Sequence, residues 1–418
     1  ILPKGGRTMR RRKTKVMAVA LLCMTVGITT SGNLKVYASE KSTTNKDILE
    51  MERTEELEEE EYLSRIEKEF FNTPDNAQEN IDLTINEEKQ KVSNYNNNSR
   101  ASSSTLKIHF IPIGNGTNGE KRGDAIFIEC DGEYALIDAG LKGNNCNTYL
   151  NEFMKGKGLS KINLKCAVLT HHHADYFGGF CNIADNSKIT VSKFYEPKVH
   201  TKHAPFIGKN GKIIDSGCGA QSYSTFKDKI KSKWSCDVIP TLSTDSSKID
   251  NVANNETKTV KVKIGTATLH MYKILTETAD DNNWNASKFE NNRSILCRID
   301  FAGKRILLTG DVYMEMIQRF QKLGAKMGNK NVQLAANDLK IQHHGILSTF
   351  NDTIKSQYTD GFKANRFVIS NSRKEPDANG TNGWGTGAID RNTFLKSKHG
   401  SSCIKSTAYG AQVFTYIN

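Results

Sequence analysis

The chain lacks a long apolar run. Its longest largely apolar stretch, Val16 to Thr30, is shorter than the ~20 residues that carry a helix across a bilayer. A polytopic membrane protein is thereby excluded, and with it an integral membrane channel. The chain also has no CxxC pair, which argues against a cysteine-rich zinc site. No sustained heptad repeat supports a long coiled coil. What is present is bulk and charge. With 418 residues, 37% hydrophobic and 25% charged, the chain can bury one large core or two ordinary ones.

The formal charge of +12, from 58 Lys and Arg against 46 Asp and Glu, suggests an anionic partner or surface. It is unevenly spread. Ile1 to Glu40 holds eight basic residues and one acidic, a net +7, whereas Lys41 to Arg100 holds eight basic and sixteen acidic, a net −8. The remainder therefore carries +13. Three segments are expected: 1–38, 39–104 and 105–418.

Segment 1–38 reads as a secretory signal peptide. Arg10, Arg11, Arg12, Lys13 and Lys15 precede the apolar run, and Val36-Tyr37-Ala38 offers a cleavage point after Ala38. An uncleaved membrane anchor is the alternative. Met9 is the first Met, so Ile1 to Thr8 can lie upstream of the start. The expected location is extracellular, with attachment to an anionic cell wall as an extension. Outside the cell, Cys130, Cys146, Cys166, Cys181, Cys218, Cys236, Cys297 and Cys403 form an even set compatible with disulfides. Cys166 and Cys297 sit in strand-like apolar runs and read instead as buried free thiols.

Segment 39–104 is acidic, then polar. Ile48 to Phe71 is Glu-rich and helix-prone, but Leu49, Leu57, Leu63, Ile66 and Phe70 look too sparse to bury much. Asn94 to Ser104 is of low complexity. A flexible linker is expected, with a propeptide or a short dimerisation helix as alternatives.

From Thr105 the texture is that of one large α/β domain. Strands are expected over Leu106 to Ile113, Ala125 to Glu129, Tyr134 to Ile137, Leu164 to Leu169, Val260 to Leu269, Ile295 to Phe301, Arg305 to Leu308, Leu339 to Gln342 and Phe367 to Ser370. Asp311 to Leu323 has helical spacing. The chemistry lies at Thr170-His171-His172-His173-Ala174-Asp175-Tyr176-Phe177-Gly178-Gly179. Side chains leaving a strand alternate, so His171, His173 and Asp175 face one side and His172 the other. Two imidazoles and a carboxylate suit Zn²⁺ or a similar divalent ion. Gly178 and Gly179 permit a tight turn or close packing behind them. Two more strands end in metal-ligand residues, one at Thr309-Gly310-Asp311 and one at Gln342-His343-His344-Gly345.

Three such strand ends resemble the metallo-β-lactamase superfamily, whose pattern is His-x-His-x-Asp-His, a Gly-Asp after a strand, and a late His. Within it the chain is most similar to the hydrolase domain of ComEC-type DNA-uptake proteins. The pieces carrying that likeness are His109 to Ile111, Gly123 to Ile126, Tyr134 to Gly140, the His motif, Asn292 to Ser294, Lys304 to Asp311 and Lys340 to Gly345. The resemblance implies a four-layer αββα sandwich. It implies that His171 and His173 bind a first metal, that Asp175 binds a second, that Asp311 bridges them and that His344 is the late ligand. His343 is then left either to support a ligand from behind or to stabilise the transition state. Tyr176 departs from the pattern, which has His there; neutral Tyr is a poor ligand, so the second site should be weaker or empty. A further His ligand is also not obvious; His200 and His203 are candidates.

Hydrolysis by metal-activated water follows, on one or two Zn²⁺ ions or on Mn²⁺, with Asp175 able to serve as base if the second metal is absent. Asp138 is expected to orient a ligand His or close its strand turn. The basic domain favours a phosphodiester in an anionic polymer, nucleic acid or wall polymer. Lys202, Lys209, Lys212 and Arg373 are candidates to line the cleft, and Trp284 and Trp384 to stack a base or a choline-like group, with a place in the core or in a lid as the alternative. The rival readings are a lactamase or lactonase acting on an amide or ester, and a non-catalytic wall- or DNA-binding protein.

Overall fold

Strands buried on both faces must be covered twice. Those at the centre of this chain, AIFIEC at Ala125–Cys130 and EYALIDA at Glu133–Ala139, are buried along most of their length. The computed structural model describes residues 45–73, 84–91, 103–113, 123–143, 145–197, 220–239, 241–242, 260–274, 286–327, 334–371 and 386–418. The segment read as a signal peptide lies outside them, as do His200, His203, Lys202, Lys209, Lys212, Trp284, Arg373, Trp384 and Cys218.

Among the described residues two sheets form. The first contains β1 (Ile85–Lys91), β2 (Thr105–Phe110), β3 (Ala125–Cys130), β4 (Glu133–Ala139), β5 (Ile162–Val168), β6 (Ile189–Val191), β7 (Phe194–Pro197), β8 (Cys236–Ile239) and β17 (Ala411–Ile417). Its order is β1-β17-β2-β3-β4-β5-β7-β8, with β6 also on β5. The second contains β9 (Thr241–Leu242), β10 (Val260–Ile264), β11 (Ala267–Ile274), β12 (Leu296–Phe301), β13 (Lys304–Leu308), β14 (Asp338–Lys340), β15 (Arg366–Ile369) and β16 (Ile404–Ser406). Its order is β10-β11-β12-β13-β14-β15-β16, with β9 on β11.

The helices are α1 (Asn45–Asn72), α2 (Asn145–Lys157), α3 (Ala174–Asp185), α4 (Ala220–Lys231), α5 (Ala286–Asn291), α6 (Met314–Met327), α7 (Asp352–Ser356) and α8 (Thr386–His399). Ile108, Ile126 and Ile137 of the first sheet share one core with Leu269, Ile299 and Ile306 of the second. The outer face of the first sheet packs under α1 to α4, through Phe127, Leu136, Tyr149, Phe180 and Phe226. That of the second packs under α6 and α8, through Leu307, Phe367, Ile317, Phe320 and Leu395. The result is the four-layer αββα sandwich. Cys166 and Cys297 lie between the sheets as free thiols, and burial pushes the Cys166 thiol up to about 12.

Three expectations are corrected. The stretch read as a linker is the helix α1 followed by the strand β1, and residues 45–418 form one compact unit. Tyr62, Leu63, Ile66 and Phe70 recur at helical spacing and are buried against α3 and α4, while Leu57 stays exposed. Each such side chain stabilises its burial by about 1.5–3 kcal/mol, so a stripe of four is enough to dock the helix. The polar β1 needs no core at all: it pairs in parallel with β17, from Ile85 opposite Ala411 to Lys91 opposite Ile417, as an edge strand. Val260 to Leu269 is a hairpin rather than one strand, because Gly265 takes φ +54° and turns β10 onto β11. The helix expected from Asp311 begins at Met314, since Asp311 is held in the turn that follows β13.

Candidate metal centre

The His motif leaves β5 and runs into α3. Just beside it, near the end of β4, lies Asp138, whose backbone is left-handed at φ +54°. Asp138 accepts hydrogen bonds from the Thr170 amide at 2.8 Å and the Thr170 hydroxyl at 2.9 Å. With its single hydrogen spent there, the Thr170 hydroxyl accepts from His171 Nδ1 at 3.2 Å, leaving the lone pair on His171 Nε2. Asp138 thus positions His171 through Thr170 rather than facing the cluster itself. Behind the motif α3 lies almost on the backbone of β4. A Cβ on Gly179 would stand 2.0 Å from the Ala139 carbonyl oxygen, and one on Gly178 would stand 2.3 Å from the Lys142 amide nitrogen.

Asp311 follows Gly310, which takes φ +54° with Ser294 too close to admit a Cβ. The Ser294 hydroxyl accepts from the Asp311 amide at 3.2 Å, and the buried ammonium of Lys340 binds Asp124 at 2.6 Å and the Gly310 carbonyl at 3.2 Å. After β14 the backbone of His343 and His344 is left-handed at φ +46° and +54°. Two successive non-glycine residues in that region cost about 1–3 kcal/mol each, and such strain gathers at functional sites. The bond from the His343 amide to the Gly310 carbonyl, 3.1 Å, ties this turn to that of Asp311. His344 Nδ1 donates to the Ser370 carbonyl at 2.8 Å, which turns Nε2 toward Asp311.

The three strand ends meet. His171 Nε2 lies 3.0 Å from His173 Nδ1 and 3.7 Å from Asp311 Oδ2. His344 Nε2 lies 3.3 Å from Asp311 Oδ2 and 3.8 Å from Asp175 Oδ2. All five side chains are buried. Burial holds His171 and His173 below the ordinary imidazole range, in the neutral form that ligates metal; the neighbouring imidazole adds to this for His171, and the Glu59 carboxylate opposes it for His173. Burial would depress His344 too, but the Asp311 carboxylate outweighs it and raises His344 to about 9. Without metal the pair is therefore an imidazolium against a carboxylate. Tyr176 stands inside this group: its hydroxyl donates to Asp311 Oδ1 and lies 3.2 Å from His344 Nε2. Burial, then Asp124 and Asp311, push the phenol well above its ordinary range, so it is neutral.

Among the described residues, no three His, Cys, Asp or Glu side chains stand as a formed chelate. The reason is local: His173 donates to His171 Nε2, and Tyr176 holds Asp311. The donor set nonetheless fits a divalent ion, since it combines imidazoles and carboxylates and includes His173 Nε2, which is buried with no hydrogen-bond partner. Ligation requires the His171–His173 contact to open.

His172 faces away from the cluster. Its Nδ1 lies 2.8 Å from Glu290 of α5, and its ring packs on Tyr223. His343 does not join His344 and Asp311. Its Nε2 lies 3.6 Å from Glu59 Oε1 and 3.4 Å from Asn291 Nδ2, and its ring packs on Tyr313. It lines a cleft with Lys288, Tyr313, Gln342 and Leu347. Sequence reasoning missed Glu59, Glu290 and Lys340. Nothing singles out Glu59 within a run of glutamates, whereas Glu290 abuts Asn291-Asn292-Arg293-Ser294 and Lys340 opens the late His motif.

Residues 118–235 match the family model described as the metallo-beta-lactamase superfamily, which supports a domain of that superfamily in this chain. The αββα sandwich is the metallo-β-lactamase fold, and members of that superfamily are metal-dependent hydrolases, which usually bind divalent metals, often zinc. Among solved structures the chain is similar to the metallo-beta-lactamase fold protein YhfI from Bacillus subtilis, at 12% identity and TM-score 0.38 over 75% of this chain and 100% of that one. It is similar to the short form of human tRNase Z at 13% identity and TM-score 0.34, over 64% and 92%. A diphosphatase of the PhnP family is matched at 9% identity and TM-score 0.36, over 75% and 98%. No curated protein matches the chain. Among the described residues, no helix is long and apolar enough to cross a membrane.

Proposed function

We propose that this protein is a secreted metal-dependent phosphodiesterase that cleaves an anionic polymer, nucleic acid or a wall polymer, through metal-activated water. The observation that carries the reading is the convergence of His171, His173, Asp175, Asp311 and His344, buried, from three strand ends. A Zn²⁺ or Mn²⁺ ion held by these residues would acidify a water molecule and offset charge on the reacting group. Asp175 faces His344 and would act as the base where no second ion is bound. His343, lining the cleft with Lys288, contacts the anionic group of the substrate. With Tyr176 on Asp311, an ion held by His171 and His173 would be the tighter and a second the weaker. The likeness to the hydrolase domain of ComEC-type DNA-uptake proteins and the +13 charge of residues 101–418 support a polyanion, and association with an anionic wall follows from the same charge.

The test is hydrolysis of a chromogenic phosphodiester and a chromogenic lactam, side by side, with Zn²⁺ or Mn²⁺ and after chelation. Phosphodiester turnover lost on chelation is expected. Lactam turnover alone would move the reading to an amide or ester hydrolase. A protein that binds no divalent ion and is unchanged by His171→Ala would be a binding protein.

A further inference from the structure

The helix α1 carries eleven acidic and four basic side chains, net −7, ahead of a domain of net +13. It packs against α3, which begins at the His motif, against α4, and against α5, which bears Glu290 and Asn291. Among its described side chains, the buried ones lie in the C-terminal half. Tyr62, Leu63, Ile66 and Phe70 are buried, with the Phe70 ring 5.7 Å from that of Phe177, whereas Glu50, Arg53 and Leu57 are exposed. Glu59 is the glutamate that this docking carries inward: it is 2% exposed, and its carboxylate lies 3.6 Å from Nε2 of the equally buried His343. A carboxylate is costly to bury, and here it is set against an imidazole at the edge of the metal-ligand cluster.

We propose that α1 is an intramolecular substitute for the substrate: Glu59 occupies the place at His343 that an anionic group of the polymer takes, and the helix covers that approach until it lifts. This rests on the polyanion reading, since an acidic helix mimics a polyanion and not a lactam. Competition is then between two anions for the one place at His343, one tethered at high effective concentration and the other free. The full chain is consequently restrained, and loosening α1 releases it.

The test uses the full chain without metal, so that binding is read apart from turnover. Anisotropy of a labelled single-stranded oligothymidylate is measured for the wild type, Glu59→Gln and Phe70→Ala, and hydrogen exchange of α1 is followed with and without the oligonucleotide. Both variants should bind at least tenfold more tightly, and saturating oligonucleotide should speed exchange of α1 amides in the wild type. Affinities within twofold of the wild type, with α1 exchange unchanged by the oligonucleotide, overturn the proposal. So does a Glu59→Gln protein that loses affinity for Zn²⁺, because Glu59 is then a ligand. If no variant binds the oligonucleotide while Glu59→Gln still speeds α1 exchange, the occluding contact stands and the polyanion reading alone falls.

Discussion

On the proposed reading, Tyr176 is the residue on which metal stoichiometry turns. Its hydroxyl occupies Asp311 and touches His344, so both depend on a phenol that burial and carboxylates keep neutral. Tyr176→His should raise the bound divalent metal toward two ions per chain, measured by elemental analysis after dialysis, with the wild type nearer one. An unchanged count would show that the phenol does not govern the second ion. The histidines set a pH window for the metal-free protein. His171 and His173 have lowered folded values, so their contribution is present above the unfolded value near 6.5 and lost as pH falls below it. His344 is raised to about 9, so its contribution is present below about 6.5 and lost as pH rises through 9. The second effect is on the order of 3 kcal/mol. Denaturant midpoints should therefore peak near pH 6.5, and His344→Gln should remove the alkaline loss. A curve for His344→Gln parallel to that of the wild type from pH 6.5 to 9.5 would refute the assignment.

At the scale of elements, the contact of α3 with β4 sets where the His motif points. Gly179 donates its amide to the Gly140 carbonyl at 2.9 Å, and a methyl group there would collide with the Ala139 carbonyl. Gly179→Ala should cost about 1–3 kcal/mol, the usual penalty of overpacking, and should weaken Zn²⁺ binding as α3 is pushed outward. Equilibrium unfolding with a zinc titration reads both; full stability would mean that the helix yields at no cost. Gly178 and Gly179 were legible as a site of close packing because nothing but glycine suits such proximity. The strand ends were legible too, since apolar runs and the residues that end them are local features. The role of α1 was not: its four buried side chains are few, and what makes them sufficient is the groove offered by α3 and α4.

For the whole molecule, the partition of charge matters more than its total. Binding of a polyanion by the +13 domain should weaken steeply with salt, with a logarithmic slope reflecting several phosphate contacts, and a flat salt response would count against the polyanion. Chelation should abolish turnover without unfolding the chain, since the core between the two sheets contains none of the clustered imidazoles and carboxylates; loss of near-ultraviolet dichroism on chelation would contradict that.

The sequence by itself determined which imidazoles and carboxylates are candidate ligands, their placement at the ends of apolar strands, the side on which His172 faces, and the αββα class through the likeness those motifs carry. Each depends on periodicity or on side-chain chemistry within a few residues. Only the tertiary structure decided that Tyr176 bonds Asp311, that Glu290 holds His172, that Lys340 secures the Gly310 turn, and that Glu59 of a helix read as a linker reaches His343. Those contacts join residues far apart in the chain, and the packing of two sheets and their covering helices fixes them where no local pattern can.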